Sequence, residues 1–179
     1  MKKVWFFIIA IIALIILLFV DPSLLNLVNY IKFPFLNSVF VALLFIEAEP
    51  YFEIWLVALT LLMIRKNKKK MIWLVIALII AAIITTILKH VIARPRPING
   101  PETGSNDSMP SGHATLLFAT LPFIETLKNK TVKTIWIILI SLLAFARIYE
   151  RIHYFGDIVF GIIIGYGTSF IVKKWKKIE

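Results

Sequence analysis

Apolar positions in this chain come in long unbroken runs, not in the alternating or one-sided patterns of strands and helices that face water. Six runs stand out, at residues 4–20, 51–64, 71–89, 113–127, 132–149 and 157–172. A helix needs roughly 17 to 25 apolar residues to cross a hydrocarbon core, and within lipid a helix satisfies its own backbone groups. The pattern therefore predicts an all-α membrane bundle of six spanning helices, with the two shortest runs (51–64 and 113–127) drawing on neighbouring residues or lying where the bilayer is thinned. Residues 35–46 form a further apolar run, but it has only 12 residues and is closed by Glu47, Glu49 and Pro50. The first run follows Met1-Lys2-Lys3, as a signal peptide would. It is too long for one and ends in Phe19-Val20-Asp21-Pro22 without a small-x-small cleavage site, so it is expected to stay as a span.

Composition agrees with this. The 179 residues are 60% apolar and 17% charged, and mean hydropathy is +0.89, well above a soluble domain. A formal charge of +10 raises the question of nucleic acid, but the basic residues sit in short clusters between apolar runs, so no nucleic-acid surface is expected. The chain has no cysteine, which removes disulfides, thiolate metal sites and a cysteine nucleophile.

Charge placement decides what 35–46 does. With six spans, both termini and the loops at 65–70 and 128–133 share one side, which then holds fourteen of the 20 basic residues. By the positive-inside rule that side is the cytoplasm. A seventh span would move Arg65, Lys66, Lys68, Lys69 and Lys70 to the other side. Residues 35–46 are thus expected to form an amphipathic helix in the outer interface before the second span. With no repeat and mostly short loops, the expectation is a single multi-pass domain over 1–179 in the plasma membrane. Its one long polar loop, 93–112, would lie outside.

Six basic residues remain on that outer side: Lys32, Lys89, Arg94, Arg96, Arg147 and Arg151, together with all three histidines. Cations there run against the topology signal and call for an anion. Lys89 precedes Arg94-Pro95-Arg96-Pro97, where the prolines end the helix and hold the chain extended. A lone Lys or Arg at a helix end more often anchors to lipid phosphates, a reading that two Arg-Pro pairs weaken. Pro110-Ser111-Gly112-His113 opens the fourth run. Alone it fits an anion-binding helix start and an ordinary serine cap equally well. His153 and Asp157 stand four apart, the spacing of one helical face, where a carboxylate would orient an imidazole for nucleophilic or base chemistry. As a single pair they would more often be structural; the convergence of all three groups on one side favours chemistry.

In order and spacing these residues resemble the type 2 phosphatidic acid phosphatase superfamily of membrane lipid phosphatases. Its three motifs are matched by Lys89 with Arg96-Pro97, by Pro110 to His113, and by Arg147 with His153 and Asp157. Two positions depart from the family pattern. Ala146 stands where Ser is usual, and Gly156 where Ser or Thr is usual and could cap the last helix. Arg94 and Arg151 have no motif role.

The resemblance implies that His153 forms a phosphohistidine, that Asp157 stabilises the imidazolium, and that His113 protonates the leaving oxygen and then activates water. Lys89, Arg96 and Arg147, with the backbone N–H groups of Ser111 and Gly112, would hold phosphate. It implies no cofactor and no metal; the outer carboxylates Asp21, Glu47, Glu49, Glu53, Glu102, Asp107, Glu150 and Asp157 show no compact ligand motif. The partners would be membrane lipids and a lipid phosphate or diphosphate substrate. The short connection at 98–109 favours a polyprenyl diphosphate of undecaprenyl or dolichyl type over phosphatidylglycerol phosphate or phosphatidic acid. Two other classes compete, a lipid or ion transporter and an inactive scaffold. Ionisable groups at span ends argue against the first, and intact His113, His153 and Asp157 against the second.

Overall fold

The computed structural model describes residues 2–46, 48, 50–97 and 107–178. Of the polar positions singled out above, Glu47, Glu49 and Glu102 lie outside the described residues, as does the loop at 98–106. Among the described residues seven α-helices follow one another: α1 (Lys2–Leu27), α2 (Pro34–Ile46), α3 (Tyr51–Ile64), α4 (Lys68–Ile92), α5 (Gly112–Ile124), α6 (Lys130–Tyr149) and α7 (Phe155–Trp175). A short 3-10 turn, Val28–Ile31, links the first two. No strand occurs among the described residues.

Among the described residues four helices are long and apolar enough to cross a bilayer: α1 with the turn after it, α4, α6 and α7. The remaining three have 13 or 14 residues each, about 20 Å at 1.5 Å per residue against a core of about 30 Å. Of these, α5 lies at the centre of the bundle, packed by α7, α4, α6 and α3. Its buried residues run from Ala114 to Ile124. By contrast, α2 buries Phe40 and leaves Phe35, Val41, Phe45 and Ile46 exposed. Its polar side chains are confined to Asn37 and Ser38, so the polar face expected of an amphipathic helix narrows to a single turn.

The first helix differs from its expected form. It was expected to end near Val20 but runs on through Asp21 and Pro22 to Leu27. Pro22 removes one backbone donor from the helix, yet continuation keeps Asp21 fully buried and seats Leu25 and Val28 in the core.

The bundle is tightest between α5 and α7. A Cβ on Gly161 would come within 2.7 Å of the Ser111 carbonyl, and one on Gly165 would overlap the Thr115 carbonyl. Two glycines four apart let backbones approach where lipid supplies no hydrophobic force between helices. Thr115 also accepts a hydrogen bond from Thr85 of α4 at 3.1 Å, so the start of α5 is clamped from both sides.

Candidate active site

Each chemistry-bearing segment is shaped by its own end of helix. At the end of α4, Ala93 takes a left-handed conformation (φ 46°) and donates to the Lys89 carbonyl, after which Arg94 to Pro97 run free of the helix. The base of the long loop is closed where Ser108 N–H donates to the Arg94 carbonyl at 2.8 Å and Pro95 pairs with Asp107. Met109-Pro110, a cis peptide, leads into α5. Ser111 caps that helix by accepting from Ala114 N–H. At the end of α6, Arg151 adopts φ 58°, and the N–H groups of Ile152 and His153 both donate to the Arg147 carbonyl at 2.9 and 3.1 Å. A residue in this conformation closes a helix by satisfying its last carbonyls. Here it also turns His153 inward.

These ends meet. Arg96 donates through Nη1 to the Ile152 carbonyl at 2.9 Å, and Ser111 N–H donates to the Asp157 carbonyl at 3.1 Å. Lys89 Nζ donates to the Asp107 carbonyl at 2.8 Å. Lys89, Gly112 and His113 line one cavity of about 220 Å³ with Phe52, Glu53, Thr85 and Leu116. The His113 ring lies against Phe52, 4.3 Å between centroids, and the space beside Gly112 is open. Arg147 is buried at the end of α6. The eight expected residues therefore gather at one end of α5 and α7.

Two expectations change in detail. The Ser111 N–H, expected to face phosphate, is engaged by the Asp157 carbonyl, because the close approach of α7 brings that carbonyl to the helix start. Ser111 thus joins two motifs, and Gly112 is left as the open position. His153 and Asp157 do not share a helical face either. Tyr154 is the cap of α7, so His153 precedes the helix while Asp157 occupies its first turn. Asp157 Oδ2 accepts Tyr154 N–H at 2.8 Å and stands 3.4 Å from His153 Nδ1, a long contact that leaves this nitrogen without a well-formed hydrogen bond. Burial, with help from the positive charges of Arg96 and Lys89 and against the pull of Asp157, pushes the His153 imidazolium down to about 4. The ring is therefore neutral at pH 7, the form that carries a free lone pair.

Neither Arg94 nor Arg151 has a motif role in the sequence, and the structure places Arg94 against Asp157. Arg94 Nη1 donates to Asp157 Oδ1 at 2.8 Å and to Asp21 Oδ2 at 2.9 Å. Arg151 Nη1 donates to Asn29 Oδ1 at 3.1 Å, tying the turn before α2 to the turn that carries His153. The doubled Arg-Pro was the available signal for Arg94; Asp21, on the first helix, offered none beyond being a carboxylate at the end of an apolar run.

Comparison with known proteins decides the family, since the PAP2 superfamily model matches residues 70–178, which hold all eight expected residues. The chain belongs to the PAP2 superfamily. This PAP2 protein is a membrane enzyme that acts as a phosphatase on lipid phosphates, as members of that family do. It is 28% identical to an undecaprenyl-diphosphatase of Sulfolobus acidocaldarius, over 96% of this chain and 91% of that one. Its fold is that of the transmembrane PAP2-type phosphatidylglycerolphosphate phosphatase of Bacillus subtilis, with a TM-score of 0.78 at 23% identity over 99% and 96% of the two chains. Aquifex aeolicus LpxE is similar too, with a TM-score of 0.73 at 22% identity over 87% of this chain and 95% of that one.

Proposed function

We propose that this PAP2 protein hydrolyses a polyprenyl diphosphate through a phosphohistidine, without a metal. The observation that carries the reading is His153: buried, neutral, with Nδ1 turned toward Asp157, so that Nε2 is the nitrogen left for phosphorus. In the first step the Nε2 lone pair forms a bond to phosphorus in line with the bond that breaks. The electron pair of that bond goes to the leaving lipid oxygen, which His113 protonates. Asp157 stabilises the positive charge that the ring acquires. In the second step water attacks phosphorus, His113 takes its proton, the phosphorus–nitrogen bond breaks and phosphate departs. Lys89, Arg96, Arg147 and the N–H of Gly112 are the groups assigned to the non-bridging oxygens, where charge builds in a loose transition state.

The substrate choice rests on the Sulfolobus relative and on the short connection between the first two motifs. The topology we assign has six spans, α1 and α3 to α7, with both termini cytoplasmic, the site on the outer face of the plasma membrane and α2 in the outer interface. Its support is the charge count and the apolar residues that α2 leaves exposed.

The deciding experiment is phosphate release by purified protein in detergent with excess EDTA, from polyprenyl diphosphate, phosphatidylglycerol phosphate and phosphatidic acid, beside His153→Ala. Fastest release from the diphosphate, lost in the variant, is expected. Preference for either glycerolipid moves the substrate assignment, and loss with EDTA alone ends metal independence. Because the chain has no cysteine, topology is tested by single substitutions. An impermeant thiol reagent is expected to label Lys32→Cys and spare Asn67→Cys in intact cells.

A further inference from the structure

Asp21 is fully buried in the first helix, where a carboxylate is costly unless it is matched. Its partners come from far along the chain. Both of its oxygens accept the Gly156 N–H, at 3.0 and 3.1 Å, and Arg94 bridges it to Asp157. The Arg94 guanidinium also lies over the Tyr154 ring, 4.2 Å from its centroid.

We propose that Asp21 and Arg94 are positioning residues for the phosphatase reaction, a buried chain running from α1 through Arg94 to Asp157 that fixes the carboxylate facing His153. The inference rests on the reading of His153 as nucleophile. With Arg94 on Oδ1 and Tyr154 N–H on Oδ2, Asp157 has no rotational freedom left. Asp21 supplies a second negative charge against the single positive charge of Arg94. The three groups together keep one net negative charge, so Arg94 orients Asp157 without cancelling the charge that stabilises the imidazolium.

Gly156 fits the same arrangement. A Cβ there would stand 2.6 Å from Asp21 Oδ2 and 3.4 Å from Arg94 Nη1. The space that a Ser or Thr side chain would take at this position is filled by the Asp21 carboxylate, which caps α7 from another helix. Asp21 and Gly156 are therefore a matched pair.

The test compares Asp21→Asn, Arg94→Gln, the double variant and His153→Ala in purified, monodisperse protein, reading kcat, KM and the pH profile. The other charged groups acting on His153, Lys89 and Arg96, stay unchanged throughout. Asp21→Asn preserves shape and removes charge, so kcat is expected to fall at least about 10-fold with KM within about 2-fold. The acid limb should move to lower pH, since a nearby negative charge is gone. The double variant is expected to lose less than the product of the single losses. Wild-type kcat and an unmoved pH profile in Asp21→Asn, with His153→Ala inactive, would overturn the proposal. Activity retained by His153→Ala would instead sink the nucleophile assignment. Should Asp21→Asn fail to fold, Asp21→Ala combined with Gly156→Ser puts a hydroxyl into the space that the Asp21 carboxylate leaves in the first turn of α7. A stable double variant still at least about 10-fold down in kcat supports positioning, and one restored to wild-type kcat reduces Asp21 to a helix cap and overturns it.

Discussion

The two ends of this bundle use basic residues in opposite ways. Where α3 meets α4, α5 meets α6 and α7 ends, the cations are mostly exposed: Arg65, Lys66, Lys68, Lys69, Lys128, Lys130, Lys174 and Lys177. At the other end Arg94, Arg96 and Arg147 are buried or half-buried, and the structure gives Arg94 two carboxylates and Arg96 a backbone carbonyl. Exposed cations keep their hydration and cost little, so their value lies in number and side. Buried cations give up hydration and persist only where geometry returns it. Charge count therefore reports orientation, whereas burial of charge reports chemistry.

The largest effect of any substitution at the buried end is expected at His153. Replacing it with Ala is expected to lower phosphate release by at least about 10³-fold if, as proposed, it is the nucleophile, because the step it carries would be abolished. Arg96→Ala and Arg147→Ala should each cost about 10²-fold in kcat, the scale of losing one group that stabilises transition-state charge. Charge removed from the other end, as in Arg65→Gln with Lys66→Gln, should leave kcat within about 2-fold; a loss comparable to that of Arg96→Ala would end the distinction. The pH dependence sharpens it further. Because burial holds the His153 imidazolium near 4, the acid limb of kcat/KM is expected near that value and not near 6.5. The unfolded chain takes a proton on this ring below 6.5 while the folded one does not. Thermal stability should therefore decline as pH falls from 6.5 toward 4 and lose this contribution fully below the folded value, and His153→Gln should flatten that slope.

Much of this could be read along the chain, for reasons that particular residues show. The helices were legible because lipid demands unbroken apolar runs, and the candidate site because Lys89, Arg96, His113, Arg147, His153 and Asp157 stand at motif spacings around helix ends. The extension of α1 was not legible, because Pro22 reads locally as a stop while the partners that hold Asp21 are 73 and 135 residues away. Sequence spacing carries no trace of such an ion pair. Nor did the i, i+4 spacing of His153 and Asp157 say whether His153 lay on the helix or ahead of it, which depends on Tyr154 capping α7. Gly161 and Gly165 did carry a readable signal, two small residues four apart within an apolar run.

Those two glycines also bear on how the enzyme responds to its surroundings. With the backbones of α5 and α7 in contact, the helices behave as one beam, carrying His113 at the head of one and Asp157 in the first turn of the other. Lateral pressure or a change in bilayer thickness tilts such a beam as a whole. The spacing of His113 from Asp157, the proposed proton donor and the proposed partner of the nucleophile, is set by protein against protein, and the lipid has little leverage on it.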